Sequence, residues 1–156
     1  MRKFPILAGL TALGLAVPLV ALAQEDDPIA QAIEARHGYF IMLARDMGVL
    51  SAMAKGEVDY NEEAAVRAAT NIEALTKYDL PGLFVPGSAS GEAEDSEAKP
   101  AIWSDAEGFR SKFDDLAKAA AGAPEAVKGG ASNLGPVLGK LGGACKACHD
   151  EYREKS

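Results

Sequence analysis

Apolar residues recur at helical spacing along four segments of the chain, and the first segment is the longest. From Ile29 to Leu50 the apolar positions lie three, four or seven residues apart, which is typical of one face of an α-helix. Arg36 occupies the one position at which this stripe is interrupted. The stripe consists of Ile29, Ile33, Phe40, Leu43, Met47 and Leu50.

Two further helices are indicated in the middle of the chain. One runs from about Glu62 to Tyr78, with Asp59 or Asn61 as its N-cap and Leu80-Pro81-Gly82 as its stop; its stripe is Ala65, Ala68, Ile72 and Leu75. The other follows the capping box Ser104-Asp105-Ala106-Glu107, and its stripe is Phe109, Phe113, Leu116 and Ala120. Residues 82–100 between them are rich in Gly, Ser, Ala, Glu and Pro, which predicts a long connection without regular structure, above all at 88–98.

The last helix leads to the carboxyl end of the chain. A turn at residues 122–132, with a short helical piece at about 124–128, precedes the apolar residues Leu134, Val137, Leu138 and Leu141. The start of this helix has no clear signal, because Gly and Pro are frequent here, at positions 135, 136, 139, 142 and 143. Strand signals are almost absent, so the fold class predicted is all-α, an antiparallel four-helix bundle.

The amino-terminal segment has the pattern of a secretory signal. Arg2 and Lys3 precede an apolar stretch over residues 5–20, and Ala21-Leu22-Ala23 fits a small-x-small cleavage site. We expect residues 1–23 to be removed, which leaves a single domain at 24–156; an uncleaved membrane anchor is the alternative. Arg2 and Lys3 are the only charged residues removed, so the net charge falls from −7 to −9. So acidic a chain is not expected to bind nucleic acid or an anionic membrane.

The strongest chemical motif is Cys145-Lys146-Ala147-Cys148-His149. On a helix, offsets of three and four residues place both thiols and the imidazole on one face, as needed to attach a haem c by two thioether bonds and to ligate its iron through His149. Both cysteines of the chain lie in this motif. A redox disulfide would normally accompany an α/β pattern, and zinc would need a second ligand cluster. Covalent haem attachment takes place outside the bacterial cytoplasm, so motif and signal together predict the periplasm.

The first helix suggests how the haem is surrounded. Arg36 either extends to water along the apolar seam or pairs with a haem propionate, and we expect the pairing. Phe40, one turn further, would then lie over the haem face and leave it apolar and open. His37 and Met42 are displaced from the seam and Met47 lies two turns beyond Phe40, so we expect iron with five ligands, held by His149 alone. We expect Arg153, four residues after His149 on the same helical face, to lie beside the imidazole, and as a cation it also complements the helix C-terminus.

These features together resemble the bacterial cytochromes c prime. The resemblance rests on the terminal C-K-A-C-H-D-E-Y-R, the Arg36-x-x-x-Phe40 spacing, the run Ile102-Trp103-Ser104-Asp105 and the segment Pro86-Gly87-Ser88. It implies a left-twisted bundle, often a homodimer, and a high-spin haem that binds nitric oxide and usually carbon monoxide. It also implies that Phe40 crowds the vacant iron face, that Arg36 neighbours a propionate and that Arg153 borders the proximal histidine. The glycine-rich approach to the last helix and the acidic loop at residues 91–99 depart from the family.

The function predicted is therefore capture of nitric oxide or another small neutral gas by a protein that is not an enzyme. Electron transfer with a redox protein partner, in which an acidic surface steers a basic donor, is the alternative. Enzymatic reduction of nitric oxide or peroxide is a third possibility, although no acid/base pair is evident over Phe40. A mixed face of the first helix, with His37, Tyr39 and Met42, is either a homodimer contact or simply solvated.

Overall fold

The computed structural model describes residues 27–155, so the predicted signal segment lies outside the described residues. Four long helices make up the molecule: α1 (Pro28–Ala54), α2 (Glu62–Leu75), α4 (Ala106–Ala120) and α6 (Leu134–Tyr152). Two short helices, α3 (Ala101–Ser104) and α5 (Ala123–Ala126), and two 3-10 turns, Leu80–Leu83 and Ala131–Asn133, lie between them. Helix α1 packs on α2 and α6, and α4 packs on α6. The all-α four-helix bundle is confirmed.

The amino-terminal ends of α1 and α2 follow directly from their sequences. The Asp27 side chain accepts a hydrogen bond from the Ile29 N–H at 2.9 Å, and Pro28 fits the first helical position because it needs no hydrogen-bond acceptor. Of the two predicted caps for α2, Asn61 is the correct one, since its side chain accepts from the Ala64 N–H at 2.9 Å. The predicted end at Tyr78 was wrong: α2 ends at Leu75, and the following residues form tighter i to i+3 bonds.

The capping box before α4 was predicted one residue too early. Ser104 ends the short helix α3, and its hydroxyl donates to the Ala101 carbonyl at 3.3 Å. Asp105 is the true N-cap, because its Oδ1 accepts from the Gly108 N–H at 3.1 Å. A carboxylate caps a helix as well as a hydroxyl does, so the local pattern alone did not distinguish the two residues.

The long connection lacks helix and strand over residues 84–100, as predicted, but it is fastened to the carboxyl end of the chain. Ala98 and Arg153 form an isolated antiparallel bridge. The Lys99 N–H donates to the Tyr152 carbonyl at 3.0 Å, and the Glu154 N–H donates to the Glu97 carbonyl at 2.8 Å. We call residues 88–98 the strap, because they pass from α1 to the end of α6.

Helix α6 is continuous from Leu134 in spite of its glycines. Pro136 lies in the first turn, where its missing N–H costs no helical hydrogen bond. A Cβ at Gly135, Gly139, Gly142 or Gly143 would meet nothing within 4 Å, so none of the four is required by close packing. The predicted short piece after Pro124 is present as α5, beginning one residue earlier.

The main core of the bundle is largely aliphatic, and Cys145 packs against it. The largest fully buried aliphatic side chains are Leu50, Ile72, Leu80, Leu134, Leu141 and Val127. Across residues 27–155, no helix is both long enough and apolar enough to span a membrane.

Candidate haem site

A cavity of about 880 Å³ opens between α1, α4 and α6, beneath the strap. The two cysteines and His149 of the motif line it from α6, and Arg36 lines it from α1. Its remaining wall is largely apolar and aromatic, formed chiefly by Phe40, Leu43, Met47, Phe84, Phe109, Phe113 and Leu116. The helical spacing of the motif therefore brings its three chemical groups to one cavity, as predicted.

Burial shifts the ionisation of the two thiols and of the imidazole toward their uncharged forms. Cys145 and Cys148 are free and partly buried. Burial raises the pKa of both thiols, that of Cys148 to about 11. Burial is also the main reason that the pKa of His149 is lowered, with a smaller effect from Arg153, and this direction favours the neutral imidazole that can donate a lone pair to a metal. Within residues 27–155, no group of three or more His, Cys, Asp or Glu side chains has an arrangement that could by itself hold a metal ion.

The residues present fit a covalently held haem. Protein interiors are normally close-packed, so a cavity of this volume in a small bundle indicates space reserved for a bound group. Apolar walls suit the porphyrin faces, two thiols suit its vinyl groups, and a buried cation suits a propionate. A neutral imidazole supplies the iron ligand.

Arg36 is buried, with only 3% of its surface exposed, so the alternative in which it extends to water was wrong. Its Nη1 donates to Ser88 Oγ at 2.9 Å, and its Nη2 donates to the Ser88 carbonyl at 3.3 Å and to Ser96 Oγ at 3.4 Å. The guanidinium carbon lies 4.5 Å from the centre of the Phe84 ring. Burial lowers the pKa of Arg36, although an arginine remains charged. Among the described residues no carboxylate forms an ion pair with it, so it retains charge for a haem propionate.

Phe40 and His149 approach each other across the cavity. Their ring centroids are 6.3 Å apart, and Phe40 also makes an edge contact with Tyr39 at 5.5 Å. Tyr39 was predicted on a mixed, accessible face, and that was wrong: it is buried, and its hydroxyl donates to the Leu75 carbonyl at 3.0 Å. Tyr39 is on the buried face of α1, three residues after Arg36 and four before Leu43.

The three rival iron ligands have different positions. His37 is exposed and lies only at the rim of the cavity. Met42 is half exposed and is absent from the lining, whereas Met47 is partly buried and does line it. Of the three, Met47 is therefore the side chain that could reach an iron from inside the cavity.

Arg153 follows the last residue of α6, and its N–H donates to the His149 carbonyl at 3.2 Å. Its side chain also lines the cavity and forms an ion pair with Glu97 of the strap at 2.7 Å. The hydrogen bond from Arg153 lowers the pKa of the Glu97 carboxyl. Arg153 therefore connects the strap to the haem motif in addition to being a cation at a helix end.

Several residues of the site were missed from the sequence. Ser88 and Ser96 hold the guanidinium, Lys112 lines the cavity from α4 and pairs with Glu151 at 2.6 Å, and Asp105 accepts a hydrogen bond from Tyr152. The serines lie in a stretch that resembles a flexible linker, and the partners of each pair are 39 to 60 residues apart. No local pattern could have identified them.

Comparison with known proteins decides the family. A family model described as Cytochrome C' matches residues 31–153. The chain belongs to the cytochrome c' family. It is 40% identical over 146 residues to a cytochrome c' of Cereibacter sphaeroides, covering 94% of this chain and 96% of that one. It is 44% identical over 155 residues to a cytochrome c-554 of the same organism, covering 99% of each chain. Proteins of the cytochrome c' family carry one covalently attached haem c, so the predicted cofactor is confirmed.

Solved structures of cytochromes c' have the same fold. The cytochrome c' of Rhodobacter spheriodes superposes with a TM-score of 0.78 at 41% identity, covering 82% of this chain and 98% of that one. A nitric oxide complex of a mutant cytochrome c prime from Alcaligenes xylosoxidans superposes with a TM-score of 0.68 at 28% identity, over 81% and 97% of the chains. A cytochrome c' with ligand-controlled dimer dissociation superposes with a TM-score of 0.72 at 28% identity, over 83% and 98%.

Proposed function

We propose that this cytochrome c' is a periplasmic protein that binds nitric oxide, and other small neutral gases, at an iron ligated by His149 alone. When bound, the haem supplies a metal centre that can take a diatomic ligand on the face opposite that histidine. The nitric oxide complex of the Alcaligenes relative supports the proposal. The main observation behind the proposal is the position of Phe40.

Phe40 is the side chain of α1 that faces His149, and a phenyl ring has no atom that can ligate iron. Its contact with Tyr39, which is itself held by the bond to the Leu75 carbonyl, limits how far the ring can move. We therefore assign Phe40 as a gate that crowds the open face. A ligand must displace the ring, so only small ligands that bond strongly to iron enter readily.

The wall of the cavity selects for neutral ligands. Anions and water lose hydration on entering an apolar space and regain few hydrogen bonds there, whereas a neutral diatomic loses little. Leu43, Phe113 and Leu116 contribute only carbon to the lining. The polar groups Arg36, Glu97 and Arg153 engage the strap or one another, and we expect Arg36 to hold a propionate as well.

The test is the absorption spectrum of the purified holoprotein in its oxidised, reduced and nitric oxide-treated forms. We expect a high-spin spectrum in both oxidation states and a large change on addition of nitric oxide to the reduced protein. A low-spin spectrum that does not respond to nitric oxide would contradict the proposal.

Electron transfer with a six-ligand iron is the second candidate, and the position of Met47 favours it. This methionine lines the cavity from α1 and has a thioether that can ligate iron. A methionine-to-iron absorption band that disappears in Met47→Leu would establish this alternative. The same substitution leaves the spectrum unchanged if His149 is the sole protein ligand.

We also propose a homodimer formed through α1. Met42 is 50% exposed and lies outside the cavity lining, and the neighbouring Ile41, 66% exposed, lies at the rim of the cavity. A dimeric cytochrome c' is among the related structures. Sedimentation of the holoprotein should show a dimer that Met42→Glu converts to a monomer, because a buried unpaired carboxylate is costly. Val58→Glu, at an exposed apolar residue outside the helices, is the matched control and should leave the dimer intact.

A further inference from the structure

Tyr152 is the last residue of α6, three positions after His149, and it lines the haem cavity. Only 4% of its surface is exposed. Its ring packs on Phe109 at a centroid distance of 5.2 Å, and Cys148 packs against the same cluster. The phenol is therefore next to a thioether position and is shielded from solvent.

The hydroxyl of Tyr152 donates a hydrogen bond of 2.6 Å to Oδ2 of Asp105, the N-cap of α4. The Asp105 carboxylate also accepts from the Gly108 N–H, and these two bonds lower its pKa while the same contact raises the pKa of Tyr152 to about 12. A Cβ at Gly108 would lie only 2.6 Å from the phenol oxygen, so the Tyr152 hydroxyl can come this close to α4 only because residue 108 is glycine. Asp105 is exposed, so a proton that reached it could pass on to water.

The other three tyrosines of the chain lack such a partner. The hydroxyl of Tyr39 donates to the Leu75 carbonyl and that of Tyr60 to the Val127 carbonyl, and a peptide carbonyl is too weak a base to keep a proton. Tyr78 is 56% exposed and does not line the cavity. Tyr152 is thus the one tyrosine that combines the haem cavity with a carboxylate able to take its proton.

We propose that Tyr152 and Asp105 form a redox-active pair that supplies one electron when the ferrous protein meets a hydroperoxide. Cleavage of the peroxide O–O bond needs two electrons. The ferrous haem, which Cys145, Cys148 and His149 would hold, would supply one of them and be oxidised to the ferric form, and Tyr152 supplies the other. Two protons are taken up from solvent as the O–O bond breaks, and hydrogen peroxide is reduced to two molecules of water. The phenolic proton moves to Asp105 Oδ2, so a neutral tyrosyl radical remains beside a protonated carboxyl. This activity goes beyond gas binding and rests on the open iron face of the proposed function. Hydrogen peroxide is neutral and small but loses hydration in the apolar cavity, so we expect its reaction to be slower than the binding of nitric oxide.

The geometry meets the usual condition for a positioned base. A proton acceptor must lie within hydrogen-bond reach of the proton that it removes, and the 2.6 Å contact satisfies this. Transfer of the proton avoids leaving a positive charge on a buried ring, which would be costly. The aromatic packing around Tyr152 limits the access of other molecules to the radical.

The test uses the reduced holoprotein without oxygen, mixed with one equivalent of hydrogen peroxide and frozen for electron paramagnetic resonance. We expect a tyrosyl signal that is absent in Tyr152→Phe. In Asp105→Asn, which can still cap α4 and accept the hydrogen bond, formation of the signal should slow by roughly 10²-fold because the base is lost. Tyr60→Phe is the control and should behave as the unaltered protein does.

A second measurement needs no substitution. Protein that carries ring-deuterated tyrosine should give the same signal with narrowed hyperfine structure, which assigns the radical to a tyrosine. Absence of a tyrosyl signal, its persistence in Tyr152→Phe, an unchanged rate in Asp105→Asn or a signal unaffected by the deuterated tyrosine would each overturn the proposal. The haem absorption spectrum of each variant shows separately that the iron site is intact.

Discussion

Arg36 shows how one side chain serves two parts of this site. Its hydrogen bonds to Ser88 and Ser96 hold the strap against α1, and its charge has no carboxylate partner among the described residues. The cation is therefore a structural contact, and we propose that it also pairs with a propionate of the haem. Lysine could not reproduce this, because its ammonium group lacks the planar set of donors.

Arg36→Lys should accordingly loosen the strap. We expect faster hydrogen exchange at the Ser90 amide, whose acceptor is the Ala98 carbonyl, and a loss of about 1–3 kcal/mol of unfolding free energy. Arg45→Lys, an exposed arginine on the same helix, is the matched control. Equal exchange rates in the two variants would show that Arg36 does not hold the strap.

The ring of Phe40 obstructs the entry of ligands through its volume. Phe40→Ala should raise the association rate of carbon monoxide with the reduced protein by on the order of tenfold, equal to about 1.4 kcal/mol of barrier, because the ring no longer has to move. Flash photolysis gives this rate directly, and Met42→Ala on the same helix but outside the cavity is the control. An unchanged rate would remove Phe40 from the gate.

At the scale of the elements, α6 combines a strong chemical motif with a weak helical sequence. Its glycines lower the intrinsic helix propensity, yet four of them have open space where a side chain would be. The helix is maintained by its buried side chains, Leu134, Val137 and Leu141, rather than by local preference. Gly108 of α4 differs, because the Tyr152 hydroxyl occupies the space beside it.

Two glycine substitutions test this difference. Gly139→Ala should stabilise the holoprotein by about 0.5–1 kcal/mol, since alanine restricts the unfolded chain and meets no neighbour. Gly108→Ala should destabilise it, because the Tyr152 and Asp105 side chains must move apart. Denaturant unfolding measures both, and the same sign for both would contradict the packing described here.

At the scale of the whole molecule, the cavity is the part of the bundle in which side-chain packing is incomplete. It encloses about 880 Å³, and Phe40, Met47 and Phe113 on its wall are only partly buried. Without the haem these side chains lack neighbours on the cavity side, which leaves them free to move.

Cys145→Ala combined with Cys148→Ala prevents covalent attachment and should therefore give a loose protein. We expect most of the far-ultraviolet helical signal to remain while the near-ultraviolet signal weakens and a hydrophobic dye binds. The unaltered holoprotein is the reference. A cooperative, dye-free variant as rigid as the holoprotein would show that the cavity is stable when empty.

The sequence by itself determined the helices, their class of fold and the haem motif, because apolar spacing, caps and the interval from Cys145 to His149 act within a few turns of one helix. It also indicated Arg36 as a residue in need of a buried partner. Only the tertiary structure decided which partners are used: Ser88 and Ser96 for Arg36, Glu97 for Arg153 and Asp105 for Tyr152. These pairs join residues far apart in the chain, and their energies depend on distances that only the folded bundle brings within hydrogen-bond reach.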